Sequence, residues 1–130
     1  MKRKEFVVCV DSVYVKDRKI LLLKRAVEPF KGCWHVVGGH VEENESLKEA
    51  VKREFKEETG LDVTVGGIIE GRIEETFDRI KIIVAFEVTS AAGVINLNSE
   101  NEEYGWFSEI PSDSVYDYSK YFSNKTSISK

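Results

Sequence analysis

The chain has 130 residues, of which 42% are hydrophobic and 32% are charged, and its formal net charge is -4. This length suits one globular domain, so we expect a single domain over residues 1–130. The negative charge gives no sign of nucleic-acid binding and disfavours an anionic membrane, and no apolar run approaches the roughly 18 residues of a membrane span. Cys9 and Cys33 lie far apart and are typical of reduced thiols, so we expect a cytoplasmic protein.

Runs of β-branched residues and turn residues predict the order strand, strand, strand, helix, strand, strand, strand, helix. The predicted elements are, in chain order, strands over 6–15, 20–26 and 35–39, a helix over 46–59, strands over 62–77, 80–90 and 104–111, and a helix over 113–122. A loop over 27–34 and an acidic loop over 91–103 separate some of them. This order predicts an α/β fold with a mixed β-sheet and helices packed on it.

Smaller features refine this outline. Gly66 and Gly67 predict a bulge or turn within the strand over 62–77. Phe77 is predicted as a core strand residue. Phe30 and Trp34 leave two interpretations open, stacking on a nucleobase or packing in the core, and core packing is the commoner role of an aromatic residue beside a sheet.

The predicted helix is marked at both ends. Ser46 followed by Glu49 forms a capping box at its start, and Gly60 is a natural stop. Residues 47, 51 and 55 are apolar and repeat every four positions, which gives one stripe that faces the sheet. Residues 48, 52 and 56 are lysines and share the opposite side, which we expect to face solvent.

Three glutamates interrupt the buried side of this helix. Glu54, Glu57 and Glu58 stand at i, i+3 and i+4, and Glu58 falls within about 20° of Val51 around the helix axis. An acidic patch in solvent is the ordinary interpretation of such a cluster, but these carboxylates extend the apolar stripe. Arg53 lies one turn before Glu57 and can tie the glutamates together. Clustered carboxylate oxygens suit Mg²⁺ or Mn²⁺, so the cluster predicts a metal site.

Residues 39–61 also resemble the signature of the Nudix (MutT-like) hydrolase family, G-x5-E-x7-R-E-U-x-E-E-x-G-U, where U is a bulky apolar residue. Every fixed position of the signature is filled, by Gly39, Glu45, Arg53, Glu54, Phe55, Glu57, Glu58, Gly60 and Leu61. The flanking stretches 20–39 and 104–111 look like the same family. The resemblance therefore covers most of the chain. Val37 departs from it, because the family often has proline before the glycine pair.

The resemblance implies an α/β/α Nudix sandwich and a Mg²⁺- or Mn²⁺-dependent hydrolysis of a nucleoside diphosphate linked to another moiety. Glu54, Glu57 and Glu58 match the metal-binding glutamates of the family, and the carbonyl of Gly38 matches a backbone ligand. Arg53 would orient the glutamates. Glu45 would support the geometry of loop and helix, as would Gly39 and Gly60 in the motif.

The general base and the substrate-binding residues are less defined. By resemblance the base comes from the helix, as Glu57, or from a later loop, where Glu100 stands six residues before Trp106. Glu102 and Glu103 are the other loop candidates. Arg25 closes a strand near the glycines, where it would contact phosphate or be an ordinary surface arginine.

The expected partner is a nucleotide-type small molecule, with nucleoside triphosphates and nucleotide sugars such as ADP-ribose both open. Many relatives form dimers, so a homodimer is one expected assembly. A nucleotide-sensing module without turnover is the alternative, although such modules usually lose glutamates that this chain keeps. An isomerase of the isopentenyl diphosphate type is a more distant one.

Overall fold

In the computed structural model, residues 4–121 are described, and they form seven strands and one helix. The elements are β1 (Glu5–Lys16), β2 (Lys19–Arg25), β3 (Trp34–His35), β4 (Val37–His40), α1 (Leu47–Thr59), β5 (Asp62–Glu75), β6 (Arg79–Ala92) and β7 (Asn101–Phe107). No helix within residues 4–121 is long and apolar enough to cross a membrane.

The long strand β1 organises the sheet. One of its edges pairs in parallel with β6, and the other pairs antiparallel with β4 and, further along, with β2. β5 continues the sheet beyond β6, while β3 and β7 both pair with β2. The sheet is therefore mixed, as predicted, and the glycine pair of β4 lies against the middle of its central strand.

Helix α1 covers one face of the sheet through the predicted apolar stripe. Val51 and Phe55 are fully buried, and the ring of Phe55 meets that of Tyr14 edge-on, with 6.3 Å between centroids. Burying a side chain of this size stabilises the fold by about 1.5–3 kcal/mol. The predicted caps are present, since Ser46 accepts a hydrogen bond from the backbone of Glu49 and Gly60 adopts the left-handed conformation with a φ of 79°. The lysines of the opposite side are exposed.

The C-terminal segment, residues 110–121, covers the other face. Tyr118 and Tyr121 are buried there beside Trp34 and Val36. Trp34 also meets the ring of Phe107, with centroids 4.7 Å apart, so it is a core residue and not an exposed stacking surface.

The helix predicted over 113–122 is wrong for residues 113–118. Only residues 119–121 are helical within the described part of the chain, and residue 122 lies outside it. The reason is a backbone pairing that local sequence does not reveal. Trp34 donates its N–H to the carbonyl of Asp113, and Val115 donates to the carbonyl of Trp34. These bonds hold the segment beside β3 through an isolated bridge between Trp34 and Ser114, which is incompatible with a helix there.

Three other local predictions are modified. The strand predicted over 35–39 is divided at Val36 into β3 and β4, because the two parts pair with different partners, β2 and β1. β7 begins at Asn101, three residues earlier than predicted. Phe77 is 96% exposed at the tip between β5 and β6, so its assignment to the core is wrong. The register between β5 and β6 does shift around Gly66 and Gly67, which confirms the predicted bulge.

Candidate active site

The two glycines of β4 allow an unusually close contact of backbone and side chains. A Cβ atom on Gly38 would lie 2.3 Å from the carbonyl oxygen of Val10, and one on Gly39 would lie 2.0 Å from Oε2 of Glu54. Both distances are far below any real carbon–oxygen contact, so larger side chains cannot be placed here without moving the strand or the glutamate. The glycine pair thus brings the backbone of β4 directly against the glutamate face of α1.

Arg53 joins the loop before α1 to the glutamates of α1. Its Nε and Nη2 donate to the two carboxylate oxygens of Glu45 at 2.7 and 3.0 Å, and Nη2 also donates to the carbonyl of His40 at 2.9 Å. Its Nη1 donates to Glu54 at 2.7 Å and to Glu57 at 3.3 Å. Hydrogen bonding to Arg53 lowers the pKa of Glu45, while the Glu45 carboxylate raises the pKa of Arg53. The arginine therefore fixes two of the three helix glutamates in place.

Glu58 is the most buried of the three helix glutamates, with 6% of its surface exposed. Its Oε2 accepts from the backbone N–H of Gly38 at 3.3 Å, and its Oε1 accepts from Nδ2 of Asn101 at 3.2 Å. Burial raises its pKa to about 8, and the nearby charge of Glu54 adds to the shift. Burial also raises the pKa of Glu54. Both shifts mean that burial disfavours the ionised carboxylates by more than their hydrogen-bond partners stabilise them.

This donor set fits Mg²⁺ or Mn²⁺, because it offers hard carboxylate oxygens and two carboxylates whose ionised forms would be stabilised by a cation. Within residues 4–121, however, no three acidic, histidine or cysteine side chains converge closely enough to form a metal cluster. Glu54 and Glu57 turn toward Arg53, and Glu58 turns toward Gly38 and Asn101. Their assignment as ligands of one shared cation stays a prediction.

The helix glutamates lie in an open cleft of about 850 Å³. Glu100 and Arg25 line the same cleft. Nε of Arg25 donates to the carbonyl oxygens of Val27 and Pro29, at 3.3 and 2.7 Å, so this arginine braces the loop beside the cleft. Phe30, in that loop, is 59% exposed and also lines the cleft, which leaves its stacking interpretation open.

The three loop glutamates are separated by the start of β7. Glu100 precedes the strand, and its carbonyl accepts from the N–H of Ala26 at 2.8 Å. Glu102 and Glu103 lie within β7 and are not among the residues that line the cleft. Glu103 is 3.9 Å from Nζ of Lys24 on the neighbouring strand. Glu100 is therefore the loop glutamate with access to the cleft.

Sequence reasoning missed two groups of residues in and behind the cleft. His35 and Asn101 are both buried polar residues, and they connect to Glu58 by hydrogen bonds. Asn101 directly follows Glu100, and that adjacency was the signal available in the sequence.

The second group lies on the sheet side of the cleft, where Asp11 of β1 pairs with Gly38 of β4. Arg72 contacts Asp11 at 3.2 Å and Glu74 at 3.1 Å, and its guanidinium stacks 3.6 Å from the ring centre of Tyr116. Tyr121 also bonds to Arg72. Arg72, its two carboxylate partners and the ring of Tyr116 give the cleft a polar floor. No local sequence pattern predicts this group, because its members lie on β1, β5 and the C-terminal segment.

Comparison with known proteins agrees with this geometry. The NUDIX domain family model matches residues 5–111. A CTP pyrophosphohydrolase of Escherichia coli K12 is 33% identical over 100 residues, which cover 76% of this chain and 73% of that protein. The solved structure of a MutT protein from Methanosarcina mazei Go1 is 27% identical, covers all of both chains and superposes with a TM-score of 0.78.

An ADP-ribose pyrophosphatase of Methanocaldococcus jannaschii is 59% identical over a shorter stretch of 54 residues. That stretch is 42% of this chain and spans about a third (32%) of the length of the relative.

The family match and the pyrophosphohydrolases among the similar proteins identify the chain as a hydrolase that acts on pyrophosphate bonds. The chain belongs to the Nudix family.

Proposed function

We propose that this chain is a single-domain, Mg²⁺- or Mn²⁺-dependent pyrophosphohydrolase that cleaves a nucleoside diphosphate linked to another moiety. The observation that carries the proposal is the buried Glu58 beside Glu54, at the bottom of a cleft large enough for a nucleotide. Both carboxylates have raised pKa values. A divalent cation would offset that cost, and a diphosphate would in turn be attracted to the cation.

The proposed metal-holding groups are the carboxylates of Glu54, Glu57 and Glu58 and the carbonyl of Gly38. A divalent cation held there would neutralise phosphate charge and lower the pKa of a coordinated water. Arg53 supports this site because its hydrogen bonds hold Glu54 and Glu57 in place from one side. The glycine pair supports it because only a strand without side chains lets the backbone reach the helix face.

Two carboxylates are proposed as bases for the attacking water. Glu57 is the more exposed of the helix glutamates, with 55% of its side chain accessible, and it lines the cleft. Glu100 lines the cleft from the side of β7. A base must come within about 3 Å of the proton that it removes, directly or through one water. Arg25, which also lines the cleft, is proposed to contact the phosphates.

The substrate class is a nucleotide derivative, and the similar proteins suggest where to begin. One is a CTP pyrophosphohydrolase and another an ADP-ribose pyrophosphatase. We therefore propose nucleoside triphosphates and nucleotide sugars as the two classes to compare. A product-resolved screen of CTP, other nucleoside triphosphates, ADP-ribose, NADH and dinucleoside polyphosphates would identify the preferred one.

The test combines metal removal with substitution. We expect no turnover in excess chelator and recovery on addition of Mg²⁺ or Mn²⁺. Glu57→Gln and Glu58→Gln should each lower kcat at least ~100-fold, the scale of losing a group central to metal or proton chemistry. Lys52→Ala, on the exposed side of α1, is the control and should keep the wild-type rate. Full activity of the metal-stripped protein in chelator would overturn the proposal.

A further inference from the structure

A buried chain of hydrogen bonds connects three separate elements behind the glutamate face. Nε2 of His35, in β3, lies 2.7 Å from Oδ1 of Asn101, the first residue of β7. Nδ2 of Asn101 lies 3.2 Å from Oε1 of Glu58 in α1. His35, Asn101 and Glu58 are each no more than 9% exposed. Bulk water therefore does not compete with these contacts as it would at the surface.

The surroundings of Asn101 determine which way its amide faces. Its Nδ2 points at two oxygen acceptors, Oε1 of Glu58 and Oδ1 of Asn98, the latter at 2.9 Å. The NH₂ group can donate to both oxygens, and the amide oxygen then faces His35. Burial lowers the pKa of His35. Nε2 of His35 lies against Asn101 and its Nδ1 lies 2.7 Å from the carbonyl oxygen of Val36, so the ring is held from both sides.

We propose that Asn101 is a positioning residue for the reaction, which fixes the Glu58 carboxylate from behind while His35 fixes the amide of Asn101. One oxygen of Glu58 is held by Gly38 and the other by Asn101. The carboxylate plane is thereby set by two donors on opposite sides. Partners of this kind around a metal-binding carboxylate orient it and typically change metal affinity or rate 10- to 100-fold when removed, as an order of magnitude.

The same residue joins the two halves of the proposed site. Asn101 follows Glu100 directly, and the carbonyl of Glu100 is itself held by Ala26. The hydrogen bond from Asn101 to Glu58 therefore ties the loop that carries the candidate base to the helix that carries the candidate ligands. One amide group therefore contacts two residues, Glu58 and His35, that lie 43 and 66 positions away in the sequence.

The inference rests on the proposed metal site, so its test measures metal binding without substrate as well as turnover. Mn²⁺ binding is followed by electron paramagnetic resonance for wild type, Asn101→Ala and Asn98→Ala. Asn98→Ala is the matched control, because it removes an acceptor of the same amide but leaves the bond to Glu58 intact. We expect Asn101→Ala to bind Mn²⁺ about 10- to 100-fold more weakly and to lose kcat with little change in the KM for the nucleotide. Asn98→Ala should stay within about threefold of wild type in both.

A second measurement separates positioning from simple space filling. In the metal-free protein at about pH 9, where Glu58 is ionised, Asn101→Asp places a second carboxylate against it and should lower the urea midpoint. In a Glu58→Gln background the same change restores a donor facing an acceptor, so Asn101→Asp should cost clearly less there. If Asn101→Asp lowers the urea midpoint equally in both backgrounds, or if Asn101→Ala binds Mn²⁺ like wild type, the inference is wrong. The proposed function would still stand. No Mn²⁺ binding by wild type would overturn the proposed function and the inference with it.

Discussion

Glu58 shows how a single buried carboxylate makes stability depend on pH. Its pKa rises from an ordinary 4.5 to about 8, so the folded chain holds the proton more tightly than the unfolded chain. The resulting stabilisation is complete below the unfolded pKa and is lost as the pH rises through the folded pKa. Without metal, ionised Glu58 is thus a source of instability at neutral and higher pH.

We predict that Glu58→Gln becomes more stable relative to wild type as the pH rises, because glutamine cannot ionise. Urea unfolding in chelator from about pH 5 to about pH 9 should show the difference growing toward high pH. Glu102→Gln, at an exposed position, is the control and should follow wild type throughout. If wild type and Glu58→Gln stay parallel across this range, Glu58 is not destabilised in its ionised form.

The two loop glutamates give a second prediction at the scale of the residue. Glu100→Gln should lower kcat more than Glu102→Gln, because Glu100 lines the cleft and Glu102 does not. A positioned base contributes about 10²–10⁴-fold to a rate, which sets the size of loss expected for Glu100. Steady-state rates of both variants at saturating Mg²⁺ are the measurement. If Glu102→Gln lowers kcat more than Glu100→Gln, Glu100 is not the general base.

At the scale of the element, α1 depends on its first turn for stability and on its last turns for chemistry. Ser46 accepts from the N–H of Glu49 at 3.1 Å, and Oε1 of Glu49 accepts from the N–H of Ser46 at 2.7 Å. We predict that Ser46→Ala costs about 1 kcal/mol of unfolding free energy. The rate below the melting transition should not change, since the glutamates lie further along the helix.

Ser46→Asp is the matched control for the cap, because aspartate accepts the same hydrogen bond and should restore the stability. The measurement is urea unfolding of wild type, Ser46→Ala and Ser46→Asp, together with one rate assay of each. If Ser46→Asp is as unstable as Ser46→Ala, the hydroxyl of Ser46 stabilises the loop in some way other than capping.

The elements also show which features can be predicted from sequence. Helix α1 was predicted at both ends because a capping box, an apolar stripe and a terminal glycine are local signals. The division of the strand at Val36 was not, because it depends on which strand each half pairs with. The non-helical residues 113–118 were missed for the same reason, since Asp113 and Val115 bond to the backbone of Trp34. Phe77 was misplaced because β5 ends at Glu75, two residues before the predicted end of the strand, so that Phe77 lies in the turn.

The candidate site follows the same division between local and distant signals. The motif supplied Arg53, Glu54, Glu57 and Glu58, since all of them lie on one short helix. Asn101 and His35 could not be connected to Glu58 without the sheet, because three elements far apart in sequence meet there.

At the scale of the whole molecule, the fold holds destabilised carboxylates together at one end of its only described helix. Val51 and Phe55 anchor that helix to the sheet, and Arg53 offsets part of the repulsion between the glutamates. Glu58 receives hydrogen bonds from neutral donors, which offset less of this repulsion than a charged donor would. Sites of this kind commonly exchange stability for activity, and a ligand that supplies the missing charge should return the stability.

We therefore predict that saturating Mg²⁺ raises the melting temperature of the whole domain, because a ligand that binds only the folded state stabilises it by mass action. At a concentration 100 times the Kd the gain would be about 2.7 kcal/mol. Glu58→Gln should gain less, and Lys52→Ala, on the exposed side of α1, should gain as much as wild type. Thermal melting of the three proteins in chelator and in Mg²⁺ is the measurement. An equal Mg²⁺ shift in Glu58→Gln and wild type would mean that the cation binds elsewhere, and a metal-free Glu58→Gln that melts well below wild type would mean that Glu58 is a structural residue.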